Sequence, residues 1–251
     1  MSSRPLSQRP SRLDAWLPAL LLFAGSAAFL GGGSRHPHVN STTMPSASAD
    51  EFLRQFASMV LGTPHWEFFH TLILAGPVLW ALAASGTVRL LPERARGIGD
   101  VGRTAMLMAG ALWALAFVLD GFVAPRHAQS IAAAGVGADA AAIAAFGTNA
   151  FTMARIGLIS VTLMGVAALT FGAALLFDAR LVSWRALVGA TGLLVGAWPL
   201  VAALSGEFSP GPFTSVHWTS TAISLGVWYL LLGTVLPRGH APVPAEEFAT
   251  A

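Results

Sequence analysis

Six long runs of apolar residues follow one another along the chain, separated by shorter polar or mixed segments. A helix needs about 20 mainly apolar residues to cross the hydrocarbon core of a bilayer. The runs that meet this length lie at 15–33, 66–88, 104–124, 156–177, 184–205 and 213–236. The pattern predicts an all-α, polytopic membrane protein in which residues 1–251 form one domain, a bundle of six transmembrane helices.

Two of the connecting segments are amphipathic at helical spacing. Asp50–Leu61 places Phe52, Phe56 and Val60 near one face, and Ala138–Ala154 shows a similar pattern before it reaches the fourth run. Such segments are typical of short helices that lie along the membrane surface. We expect both on the outer side, as covering helices between spans rather than as membrane sensors.

Composition supports a membrane environment. Of the 251 residues, 55% are hydrophobic and only 10% are charged, whereas a soluble domain has about 25% charged residues. This balance argues against a soluble globular protein and against nucleic acid as a partner. The lipid bilayer is the expected partner, and a lipophilic small molecule is left open. The absence of cysteine excludes disulfides, iron–sulfur clusters and thiolate zinc sites.

Arginine supplies every basic side chain and indicates the orientation of the chain, because positive residues are retained on the cytoplasmic side of short loops. Ten arginines fall on one side of the predicted spans: Arg4, Arg9, Arg12, Arg89, Arg94, Arg96, Arg103, Arg180, Arg185 and Arg238. Four fall on the other: Arg35, Arg54, Arg126 and Arg155. We therefore expect a plasma-membrane protein with cytoplasmic N- and C-termini. The alternative for the first run is a cleaved signal peptide, which would leave five spans.

Glycines at helical spacing indicate where helices approach one another. Gly192 and Gly196 form a GxxxG step in the fifth run, and Gly165 and Gly172 lie seven residues apart in the fourth. Inside lipid, small residues let helix backbones pack closely. We expect these glycines to lie at helix contacts within the bundle.

Three ionisable residues lie inside apolar runs at one depth. His70 and His217 come about four residues after the starts of the second and sixth runs, and Asp120 comes five residues before Pro125. At 1.5 Å per residue, each lies roughly 6–7 Å below the outer boundary. Because ionisable groups in a membrane are costly and usually face a partner in the bundle interior, we predict that they form one site.

Several chemistries fit this predicted site. Histidine and carboxylate ligands suit a divalent metal bound by His70, Asp120 and His217, and His70 with His217 could be the axial ligands of one b-type haem. Acid–base catalysis would use Asp120 and Glu67, which shares a helix face with His70. The alternative for Asp120 is a structural ion pair with Arg126 or Arg155.

Other histidines receive less weight. His65 lies about 140° around a regular helix from His70, so it could join the site only where the chain is irregular beside Pro64. Three histidines lie in polar segments and are assigned no role: His36, His38 and His240. Glu207 and His127 lie at the membrane boundary, where contact with water is expected.

Two segments of the chain have a recognisable pattern. One is the second run, with Pro-His-Trp and then a histidine six residues before Gly76, and the other is the Asp120–Pro125 end of the third run. Together they resemble uncharacterised actinobacterial multi-helix membrane proteins, which implies a bacterial inner membrane and no known activity.

The predicted His/Asp site leaves three hypotheses open. The protein is a membrane protein whose outward-facing His/Asp site binds one metal ion or haem, a membrane-embedded enzyme that does acid–base chemistry on a lipophilic substrate, or a structural accessory subunit.

Overall fold

The computed structural model describes residues 12–37, 48–135, 139–177, 179, 183–204 and 216–237, with side chains placed except at 12–15 and 216–218. Within these residues the secondary structure is helical and includes no strand, which confirms the predicted all-α class. The α-helices are α1 (Arg12–Gly33), α2 (Ala49–Gly62), α3 (Trp66–Arg89), α4 (Arg96–Val118), α5 (Ala124–Ala134), α6 (Ala140–Leu176), α7 (Trp184–Leu204) and α8 (Val216–Val235). A 3₁₀ turn, Glu93–Ala95, precedes α4, and a π-helical turn, Leu119–Val123, joins α4 to α5.

Five helical stretches in the described part of the chain are long and apolar enough to cross a membrane, judged by length and composition. They are Trp16–Gly33, Trp66–Arg89, Glu93–Ala134, Ala140–Leu176 and Trp184–Leu204. These stretches are consistent with a multi-pass membrane protein. The sixth predicted span coincides with α8, whose stretch Thr219–Val235 is apolar but shorter. Residues 205 and 213–215, at the edges of the last two predicted spans, lie outside the described residues.

The long helices pack in a cyclic order. Helix α1 contacts α3, α3 contacts α4, α4 contacts α6, α6 contacts α7, α7 contacts α8, and α8 returns to α1. The centre is filled by large side chains that are almost completely buried, among them Trp80, Tyr229, Phe171 and Met106. Polar groups also pair within this core, as when the Tyr229 hydroxyl donates to the Met106 sulfur at 3.0 Å.

Glycines allow the closest helix approaches. A Cβ atom added to Gly25 on α1 would lie 2.8 Å from the carbonyl oxygen of Gly76 on α3. On α7, a Cβ atom added to Gly196 would collide with the carbonyl oxygen of Gly165 and with the backbone nitrogen of Leu169, both on α6. The predicted role of the α6 and α7 glycines in close helix packing is therefore confirmed.

A small second core joins α2, α5 and the first turns of α6, and we call these segments the cap. Its buried members include Phe52, Phe56, Ile131 and Phe146. Ser48 is the N-cap residue of α2, because its hydroxyl oxygen accepts a hydrogen bond from the Glu51 N–H at 3.2 Å. The apolar face of α2 thus packs on protein, as expected of a covering helix.

A bidentate ion pair ties the cap together. Arg54 on α2 donates from Nε to Asp139 Oδ2 at 2.7 Å and from Nη2 to Oδ1 at 3.2 Å, just before α6 begins. The hydrogen bond that Arg54 donates to Asp139 raises the pKa of the Arg54 guanidinium. Because Asp139 is buried, this pair fixes the position of α2 on the first turn of α6.

The predicted orientation has a direct test in this cysteine-free chain. Ser130 on α5 and Gly97 on α4 are both exposed, and they lie near opposite ends of the helical stretch Glu93–Ala134. We expect Ser130→Cys to react with a membrane-impermeant maleimide in intact cells and Gly97→Cys to react only after lysis. Labelling of Gly97→Cys in intact cells would show that the orientation is the reverse of the predicted one.

Candidate metal site

Asp120 is positioned by the π-helical turn between α4 and α5. The Ala124 N–H donates five residues back to the Leu119 carbonyl, so the next donor in that register would be residue 125. Residue 125 is proline, which has no N–H, and the Asp120 carbonyl is therefore left without a backbone donor. The indole N–H of Trp66 donates to that carbonyl at 3.0 Å. The helix continues to Ala134 in this way, so Pro125 does not end it as the sequence suggested.

His70 lies on α3 directly opposite this turn and is completely buried. Its Nδ1 is 2.7 Å from the carbonyl oxygen of Trp66, and its ring stacks on the Trp66 ring with centroids 4.2 Å apart. Gly121 gives the imidazole its space, because a Cβ atom there would lie 2.6 Å from the His70 Cβ. Trp66 therefore orients His70 through its carbonyl and supports Asp120 through its indole.

His36 enters the site from the turn that follows α1. Its backbone N–H donates to the Gly33 carbonyl at 3.2 Å, which continues the last helical turn and carries the side chain towards α3. The side chain is 26% exposed, in contrast to the two buried members. The sequence assigned His36 no role, and the structure corrects this.

The three side chains converge on one point. His70 Nε2 is 3.0 Å from Asp120 Oδ2 and 3.1 Å from His36 Nε2, and His36 Nε2 is 3.7 Å from Asp120 Oδ2. We call His36, His70 and Asp120 the triad. Among the described residues, this is the group of three histidine or acidic side chains whose ligand atoms lie close enough to share an ion.

The size of this triangle fits a first-row metal ion. The circle through the three atoms has a radius of about 1.9 Å, calculated from the three edges, and zinc binds histidine nitrogen at roughly 2.0–2.1 Å and carboxylate oxygen at roughly 2.0–2.2 Å. One ion can therefore contact all three atoms while lying slightly to one side of their plane.

Hydrogen bonding also prepares His70 as a ligand. A carbonyl oxygen can only accept, so Nδ1 of His70 donates to Trp66, and Nε2 of a neutral ring carries a lone pair. That lone pair would face the Asp120 carboxylate, which is repulsive unless a proton or a metal ion lies between them. Donation from the second nitrogen to a carbonyl is the usual arrangement of a metal-binding histidine.

A second feature of Asp120 also points to a missing partner. Its Oδ1 is buried and accepts no hydrogen bond within the described residues. Buried polar atoms nearly always have a partner, so an unpaired carboxylate oxygen needs an explanation. A bound ion, or a donor group carried by that ion's other ligands, would supply one.

The same geometry argues against haem at His70. The Nε2 atom that would bind iron already has Asp120 and His36 within 3.1 Å. A porphyrin whose iron is bound to that nitrogen would overlap both side chains. The arrangement suits a single ion better than a porphyrin.

The other sequence-predicted residues lie elsewhere or outside the description. Glu67 is exposed and lines a shallow surface groove with His65 and Phe68, so it does not join the triad. His65 begins α3 in the left-handed region, at φ 60°, and is also exposed. His217 lies in the first turn of α8, but its side chain is outside the described residues, as is Glu207.

The predicted arginine partners of Asp120 are not the partners that the structure gives it. The guanidinium of Arg155 lies over the Phe151 ring, 5.1 Å from the centroid, and Arg126 is exposed. The ion-pair contacts of Asp120 within the described residues are with His36 and His70. These imidazoles replace the arginine pair expected as an alternative.

The chemistry of the triad has to be argued from the geometry of this chain. Comparisons with protein-family models, with curated proteins and with solved structures find no match. The positions and ligand types of His36, His70 and Asp120 are therefore the basis for assigning a function.

Proposed function

We propose that the protein binds one divalent first-row transition metal at the triad, on the outer side of a six-span bundle in a bacterial plasma membrane. The observation that carries this proposal is the convergence of two histidine nitrogens and one carboxylate oxygen within 3.7 Å of one another. The arginine distribution supports an outward-facing site and cytoplasmic termini.

The ligand types narrow the range of metals. Imidazole favours zinc, copper, iron and nickel, whereas calcium and magnesium prefer all-oxygen ligand sets. The single carboxylate balances part of the ion's charge in a buried setting, where an uncompensated charge would be strongly disfavoured. A transition-metal ion therefore fits the triad better than a hard cation.

His36 provides the sharpest test, because its partial exposure makes it the member whose loss is least disruptive to folding. Metal-stripped protein in detergent should bind one Zn²⁺ per chain by calorimetric titration. Removing an outer-shell partner alone weakens metal binding roughly 10–100-fold, so His36→Ala, which removes a direct ligand, should weaken it at least as much.

The matched control is His127→Ala. His127 is a half-buried histidine on α5, on the same side of the protein but outside the triad. This variant should bind Zn²⁺ as the parent does. If the parent binds none of Zn²⁺, Co²⁺ and Cu²⁺ stoichiometrically, or if His36→Ala binds them with unchanged affinity, the metal proposal is wrong.

A further inference from the structure

The triad supplies its ligand atoms from one side only. The three edges of 3.0, 3.1 and 3.7 Å are close to the roughly 3.0–3.4 Å separations between neighbouring ligands of an octahedral or tetrahedral ion with bonds near 2.1 Å. The three atoms thus occupy one face of a coordination shell. Among the described residues, no fourth histidine or acidic side chain joins this group.

The described groups that pack against the His70 ring are apolar. The Trp66 ring stacks on His70, the Phe117 ring lies 5.7 Å from it, and Gly121 lies against its Cβ. The side chain of His36 is 26% exposed, so a small molecule can reach the site from the protein surface at this residue. The unpaired Oδ1 of Asp120 is an acceptor for a donor group that arrives by this route.

Resting on the proposed function, we infer that the metal has an open coordination position for a small exogenous ligand, an anion or a neutral donor molecule. Structural zinc sites are closed by four protein ligands, whereas catalytic sites keep three and leave a position for water or substrate. A two-histidine, one-carboxylate face with open positions is also the arrangement of non-haem iron sites that bind exogenous ligands. The triad belongs with these open sites.

The experiment uses Co²⁺ as the metal and azide as the exogenous ligand. The full-length protein, loaded with one Co²⁺ per chain, should change its visible absorption saturably as azide is added at millimolar concentrations. The metal content should remain at one per chain after the titration. His127→Ala should respond as the parent does, because this residue lies outside the triad.

The outcomes separate the two proposals. If Co²⁺ binds stoichiometrically but the spectrum does not respond to azide, the site is closed and the inference is wrong while the metal proposal stands. Retention of Co²⁺ by a fourth histidine or acidic side chain, seen as an azide response that appears only when His217 or His38 is replaced by alanine, would also overturn it. If no Co²⁺ binds to the parent, the failure lies in the proposed function itself.

Discussion

Replacing Asp120 by asparagine should abolish the stabilisation of the protein by metal. Asparagine keeps the shape of the side chain but removes the one negative charge and the anionic oxygen of the triad. A ligand that binds only the folded state stabilises it by about 2.7 kcal/mol at a concentration of 100 times its Kd. We expect Zn²⁺ to raise the Tm of the parent in detergent and to leave that of Asp120→Asn unchanged.

Asp50→Asn is the matched control for this experiment. It makes the same chemical change at an exposed aspartate on the first turn of α2, outside the triad. Its Tm should rise with Zn²⁺ as much as that of the parent. If Zn²⁺ raises the Tm of Asp120→Asn as much as that of the parent, Zn²⁺ binds elsewhere. If the rise in Tm is lost in both variants, it depends on the net negative charge of the protein rather than on the triad.

Depth in the membrane was the signal that led from the sequence to two members of the triad. His70 and Asp120 lie at equal distances from the predicted outer boundary, on neighbouring helices, and their side chains are 3.0 Å apart. A buried carboxylate needs a partner, so two ionisable groups at one depth predict a contact. The third predicted member, His217, stays a prediction because its side chain lies outside the described residues.

His36 was missed because hydropathy treats residues beyond an apolar run as a polar connector. It lies three residues after the end of α1, and the backbone hydrogen bond to Gly33 keeps it within reach of the helix ends. Its position three residues past the end of an apolar run was the available signal. A histidine just past a span end therefore merits the same weight as one just inside.

Apolar periodicity could not locate the π-helical turn, because the run at 104–124 is apolar on nearly every side and has no polar face whose phase one extra residue would shift. The sequence places the end of the third span at Pro125, since proline removes a backbone donor. The structure accommodates it through a side-chain donor, the Trp66 indole, and the helix continues into α5. The positions of the helices follow from the local apolar pattern. The replacement of a backbone donor by the Trp66 indole depends on a contact between two helices, which the local pattern does not show.

Gly196→Leu should be the most destabilising single change outside the triad. A side chain on Gly196 would collide with the backbone of α6 at Gly165 and Leu169, so no rotamer of the new residue can relieve the clash. Overpacking typically costs 1–3 kcal/mol, and we expect about 3 kcal/mol or more here, because two helix backbones must separate.

Thermal unfolding in detergent, with metal removed by chelation, measures this effect independently of the triad. The matched control is Leu194→Ala on the same helix, at a side chain that is 74% exposed. Because Leu194 faces away from the neighbouring helices, its truncation should shift Tm little, whereas Gly196→Leu should lower it strongly or prevent recovery of folded protein. An unchanged Tm for Gly196→Leu would mean that α7 does not pack on α6 through its glycine face, and that the cyclic order of the bundle is different.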